Sequence, residues 1–203
     1  MGMGEGPRGP SRERTRRCAG PCGHEALQAM SVLAALDLAA VFVFALTGAL
    51  VASRAQLDII GFLFIACLTA VGGGTVRDLL LDRNPVFWIT EPRILAVAGV
   101  AAVLVFFTAH LFESRYRLIV WLDALALAMA VAAGVAAAQA MDQGPAITLI
   151  MGVVTGCFGG LLRDVVCNEV PLVLLKGELY VTAAFAGAVA ALLAPLATDH
   201  ALA

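Results

Sequence analysis

The sequence predicts an all-α integral membrane protein made of two inverted three-helix repeats, and three observations carry that expectation. Of the 203 residues, 61% are hydrophobic and 14% are charged, against roughly a quarter charged in an ordinary soluble domain. Apolar runs of near-spanning length recur at Val32 to Ala52, Ile59 to Gly74, Ile94 to Phe112, Leu118 to Ala140, Ala146 to Leu162 and Leu179 to Leu196. Finally, residues 155–171, TGCFGGLLRDVVCNEVP, repeat residues 69–85, TAVGGGTVRDLLLDRNP, at a constant offset of 86.

Residues 1–29 stand apart. They carry Arg8, Arg12, Arg14, Arg16 and Arg17 among Gly and Pro with no helical period, which reads as a disordered basic tail. A basic stretch before an apolar run also resembles a signal peptide, but the run that follows is long enough to span and carries Asp37. Met30 is an alternative start. Each apolar run is close to the ~20 residues that cross a ~30 Å hydrocarbon core. A water-soluble bundle would need a polar face on every helix, and Leu118 to Ala140 holds only Asp123 and Gln139 as polar residues.

The duplication extends well beyond the quoted motif. Thr69 falls on Thr155, Gly73 and Gly74 on Gly159 and Gly160, Arg77 and Asp78 on Arg163 and Asp164, and Pro85 on Pro171, while Asp37 falls on Asp123 and Gly48 on Gly134. This is an internal repeat, with repeat 1 over 30–115, repeat 2 over 116–197 and a short C-terminal end at 198–203. Three helices per copy is an odd number, so the second copy enters the membrane from the other side. Solute-moving proteins commonly use this architecture.

Glycine in a helix interior costs about 1 kcal/mol relative to alanine, so Gly72, Gly73 and Gly74, with Gly156, Gly159 and Gly160, are expected to kink or break the second and fifth helices. Freed carbonyls and amides would then make a polar constriction. The other reading is that these glycines allow close helix crossing; the duplication favours the break. Phe158 stands where Gly72 is in the first copy, which predicts a softer bend there. Asp37, Asp123, Arg77 and Arg163 either pair around a water-filled path, within a repeat or across the two-fold axis, or the arginines snorkel while Asp78 and Asp164 cap amides. Thr69 and Thr155 complete the candidate pore-lining set.

Other functions find little support. The net charge of −2 comes without a basic stripe interleaved with aromatics, so no nucleic-acid partner is expected. Cysteines at 18, 22, 67, 157 and 167 do not make a disulfide framework, and Cys18, Cys22 and His24 lack a fourth metal ligand. The glycines fit neither GxGxxG, because Arg77 holds the last glycine position, nor a P-loop. His110 and His200 lack partners, so no catalytic residues, metal or cofactor are expected.

The doubled motif, GGGTVRDLLLDRNPVFW and GCFGGLLRDVVCNEVP, in a three-plus-three repeat resembles the prokaryotic branch of the trimeric intracellular cation (TRIC) channel family, also labelled putative glycine transporters. The resemblance covers Leu33 to Leu196. It implies a homotrimer in membrane lipid with one pore per subunit for monovalent cations, chiefly potassium, framed by the second and fifth helices at Gly72, Gly73, Gly74, Gly156, Gly159 and Gly160. It further implies a prokaryotic inner-membrane location and a seventh helix that would follow Ala203. The lysine-rich lipid motif of animal relatives has no match here.

Arg54, Arg115, Arg117, Arg163 and Lys176 lie on one side and Arg77, Arg83 and Arg93 on the other, which favours an external N-terminus; the tail arginines argue the opposite. The rival function is a small-solute transporter using the same repeat for alternating access. With no TVGYG-like filter, cations would be discriminated by charge more than by size, and no arginine ladder marks a voltage sensor.

Overall fold

The computed structural model describes residues 21–109, 115–174 and 180–201; most of the basic tail, Cys18, His110 and Lys176 lie outside them, as do the side chains of Cys22, His24 and His200. The chain divides into two units, 1–34 and 35–203. Of the first, residues 21–34 are described, and they are helical. Helix α1 runs Pro21–Arg54; a proline suits a first helical turn, and Glu25, Ala26, Leu27 and Gln28 are strong helix formers.

The second unit is helical throughout its regular elements. After α1 come α2 (Ile59–Leu80), the one-turn α3 (Phe87–Thr90), α4 (Arg93–Thr108), α5 (Arg115–Gln139), α6 (Pro145–Val166), a 3-10 turn at Leu172–Leu174 and α7 (Tyr180–Ala201). Asp37–Arg54 of α1, α2, Tyr116–Gln139 of α5 and α6 are long and apolar enough to cross a membrane, while α4 and Val181–Leu193 of α7 are shorter apolar helices. At 1.5 Å per residue α2 and α6 are each about 33 Å long, enough for the hydrocarbon core. Phe64, Phe107, Trp121 and Leu125 stand exposed on the outside, an apolar coat that lipid solvates and water does not.

Two cores organise the bundle. Ala45 and Ala49 of α1, Phe62 and Ile65 of α2, and Ala98 and Ala102 of α4 pack in one; Leu127, Val131 and Val135 of α5, Cys157 of α6, and Ala184 and Ala188 of α7 pack in the other. Between them, Ala40, Val43 and Phe44 of α1 meet Ala126 and Ala130 of α5. Near the far end of α1, Arg54 lies over the Tyr116 ring at the start of α5. The two helices therefore run antiparallel.

The hydrogen bonds recur at the offset seen in the sequence. Helix α6 has the bounds of α2 shifted by 86. The Leu81 amide donates to the Arg77 and Leu79 carbonyls, and Cys167 to those of Arg163 and Val165. Positive φ occurs at Gln56 and Asp142 and at Asp82 and Asn168, where the chain leaves one helix and turns toward the next; Asp and Asn tolerate this region best.

Helix α2 begins with Asp58, whose side chain accepts from the Gly61 amide at 2.8 Å. Its counterpart Gly144 makes no side-chain cap, and α6 starts instead with Pro145. Asp58→Ala should therefore cost about 1 kcal/mol, read as a lowered thermal midpoint in detergent, whereas Asp58→Asn should keep most of the cap.

Of the kink or break expected at the glycines, a complete break is absent, while a kink is consistent with helix that runs on through them. Both α2 and α6 continue as helix through them, because the freedom of glycine is offset by the contacts it permits. A Cβ on Gly73 would stand 2.1 Å from the Thr155 carbonyl oxygen, and one on Gly159 would stand 2.6 Å from that of Thr69. These glycines serve a backbone-to-backbone crossing, in which Gly73 faces Thr155 as Gly159 faces Thr69. Such reciprocity is what a two-fold relation between halves produces.

Candidate functional site

Two charge clusters flank this crossing, one at each end of the bundle. In the second repeat, Arg163 of α6 donates from Nη1 and Nη2 to the two carboxylate oxygens of Asp123 of α5, both at 2.8 Å. Its Nε donates to Asp164 Oδ1 at 2.8 Å, and Asp164 Oδ2 accepts from the Leu172 amide at 2.9 Å. All three side chains are buried. Such fork-to-fork geometry is the strongest form of the pair, and burial makes it necessary, since an unpaired charge there is expensive.

The first repeat repeats only half of this pattern. Arg77 Nε donates to Asp78 Oδ1 at 2.9 Å, and Asp78 Oδ2 accepts from the Phe87 amide at 2.9 Å. Asp37, the counterpart of Asp123, stands 3.5 Å from Arg77 Nη1 with its side chain 29% exposed. Among the described residues, Arg77 Nη1 and Nη2 are buried and make no hydrogen bond; the guanidinium rests over the Phe87 ring at 5.5 Å. Arg83 lies 3.8 Å from Asp78, whereas its counterpart Glu169 turns to Arg54 at 3.5 Å.

Among the alternatives left open by the sequence, the pairing is within each repeat and not across the axis. The arginines do not snorkel: Arg77 and Arg163 are each about 1% exposed. Asp78 and Asp164 do cap amides, those of the segment that follows each helix.

A cavity of about 20 Å3 lies at the Asp37 end and reaches the crossing, lined by Asp37, Thr69, Gly73, Gly74, Phe87 and Thr155 among others. That is room for one water. Thr69 and Thr155 each donate to the carbonyl four residues back, of Ile65 and Met151, at 2.6 Å, which leaves hydroxyl lone pairs as acceptors. At the other end a cavity of about 280 Å3 is lined by Arg54, Tyr116, Arg163, Asp164 and Glu169 together with apolar residues. Asp123 does not line it.

The remaining glycines pack more simply. Gly72 faces Leu162, Gly74 the Phe87 ring, and Gly156 Val131 and Leu127, while Gly160 is buried. Sequence reasoning missed Phe87 and the Arg54 to Glu169 contact. For Phe87 a signal existed, since a bulky residue follows each Arg-Asp motif at a similar distance; for Arg54 and Glu169, 115 residues apart, there was none.

Taken together, the apolar helices, the duplicated hydrogen bonds and the buried charge pairs define a multi-pass membrane protein of two halves that repeat one pattern around a close helix crossing. Residues 34–110 and 120–195 match the family profile described as Glycine transporter. The Escherichia coli K12 UPF0126 inner membrane protein YadS is 42% identical over 158 residues, covering 76% of this chain and 74% of that one. A Vibrio cholerae UPF0126 membrane protein is 40% identical over 163 residues, 78% of this chain and 66% of the relative. Among solved structures, the TRIC trimeric intracellular cation channel orthologue from Rhodobacter sphaeroides is 46% identical with a TM-score of 0.79, covering 82% of this chain and 86% of that one. A prokaryotic TRIC channel crystallised in 0.5 M KCl is 26% identical with a TM-score of 0.76, covering 82% and 85%.

The chain belongs to the prokaryotic TRIC family, the resemblance read from the doubled motif. It is an inner-membrane protein, as its relative YadS is.

Proposed function

We propose that this protein is a passive channel for monovalent cations, chiefly potassium, with one path in each subunit of a homotrimer and the two repeats inverted across the membrane. The single observation that supports the reading best is the Asp37-lined cavity that reaches the α2–α6 crossing, with a second cavity at the opposite end. An ion entering at Asp37 would meet Thr69 and Thr155 hydroxyls and then backbone at the glycines. The trimer and the cation rest on the likeness to the Rhodobacter sphaeroides trimeric intracellular cation channel orthologue.

At the crossing the two backbones touch, so conduction requires α2 and α6 to separate. Interfaces of this kind shift between discrete packings more readily than they deform. Discrimination would rest on charge, since the sequence holds no TVGYG-like filter motif.

Purified protein in a planar bilayer, recorded under asymmetric potassium chloride, tests the reading. Step-like currents reversing near the potassium potential are expected. Electrical silence together with saturable glycine uptake into proteoliposomes would favour a transporter, the activity that the family profile's description names.

A further inference from the structure

The two repeats present the same Arg-Asp set, yet they do not present the same chemistry, and the difference assigns the ion site. Asp123 has both carboxylate oxygens committed to Arg163 and is buried. Asp37 makes one loose contact, is partly exposed and lines the cavity with the two threonines. Asp78 is unavailable, because its oxygens serve Arg77 Nε and the Phe87 amide.

Resting on the channel reading, we infer that Asp37 is the cation-binding carboxylate of the path and that Arg77 is its competing counter-charge. The geometry carries this from both sides. Among the described residues neither buried Nη group of Arg77 makes a hydrogen bond, and Nη1 has only the 3.5 Å ion pair to Asp37, a costly arrangement that is relieved when Asp37 closes onto the guanidinium as Asp123 closes onto Arg163. The carboxylate thus has two positions, clamped by Arg77 or turned to the cavity, and an ion in the cavity favours the second.

Among the described residues, Asp37 is the single acidic side chain lining this cavity. One carboxylate with hydroxyls and water suits a monovalent cation, whereas a divalent ion of the calcium type draws several carboxylates. The repeats differ where this asymmetry needs them to differ. Phe87 sits beneath the Arg77 guanidinium, and Arg83 adds positive charge near Asp78, where the second repeat has Glu169.

The test compares wild type, Asp37→Asn, Asp37→Glu and Asp142→Asn. Asp142 is an exposed acid in the α5–α6 loop, at the same end of the bundle, since Leu81 after α2 packs against Ala138 and Met141 there. Its positive φ is one that asparagine accepts, so this variant controls for loss of a mouth charge.

Asp37→Asn should lower unitary conductance in dilute potassium chloride on the order of tenfold, the low end of what focused charge contributes in a cleft. It should also shift the reversal potential toward that of a pore without charge preference. Asp37→Glu should restore part of both, and Asp142→Asn should leave them unchanged. A second readout is thermal stability in potassium chloride against choline chloride. Wild type should be stabilised by potassium through binding to the folded state, and Asp37→Asn should not.

Wild-type currents that persist unchanged in Asp37→Asn would overturn the inference and leave the channel reading intact. Absence of currents from wild type would sink the channel reading instead. In that case a potassium-dependent midpoint lost in Asp37→Asn would still support the site, and a midpoint indifferent to potassium would remove it.

Discussion

Adding one methyl group at Gly73 is expected to disrupt the bundle more than most substitutions of its size. An alanine Cβ there would lie 2.1 Å from the Thr155 carbonyl oxygen, and backbone cannot rotate away as a side chain can. Helix propensity favours alanine by about 1 kcal/mol, yet the clash forces α2 off α6, and overpacking costs about 1–3 kcal/mol, here at the upper end because the clash is with backbone. Gly159→Ala, at 2.6 Å from the Thr69 carbonyl oxygen, should follow with a somewhat smaller loss. Gly99→Ala in α4, whose nearest neighbour would stand at 3.8 Å, should be neutral or stabilising. Thermal unfolding of the three variants in one detergent checks the order. A Gly73→Ala protein as stable as wild type would show that the crossing is not close-packed.

The second large effect is expected at Asp123. Replacing it with alanine leaves both Nη groups of Arg163 buried without their acceptors, and breaking a buried pair from one side costs about 3–5 kcal/mol. Asp37→Ala should cost much less, because it removes only a long 3.5 Å ion pair to Arg77 from a carboxylate that is partly exposed. Removing both charges, as Asp123→Leu with Arg163→Met, should recover part of the loss despite leaving Asp164 with its amide contact alone. Chemical denaturation of the single and double variants gives the comparison, and equal losses for Asp37→Ala and Asp123→Ala would contradict the asymmetry between the repeats.

Several features were legible before any coordinates. Hydrophobic runs of spanning length and the offset between 69–85 and 155–171 lie in the linear chain, and local hydrogen bonding turns them into α2 and α6 with corresponding bounds. The Arg-Asp pairs were recognised as a set because both copies keep the same spacing. The glycines were harder to read: their helix-weakening propensity is a local property, but continuity through Gly72 to Gly74 is set by α6 packing against them, which propensity does not contain.

What the sequence by itself determined is the membrane character, the duplication and the family, because composition, periodicity and repeat register are properties of neighbours along the chain. Only the tertiary structure decided which charges meet. Asp37 and Asp123 occupy the same register, and nothing local separates them. Helix packing brings Arg163 onto Asp123 across 40 residues of chain, while Phe87 and Arg83 surround Arg77 and leave Asp37 loose beside the cavity. Buried electrostatics depends on angstroms of separation, and those distances are fixed by contacts between helices far apart in sequence.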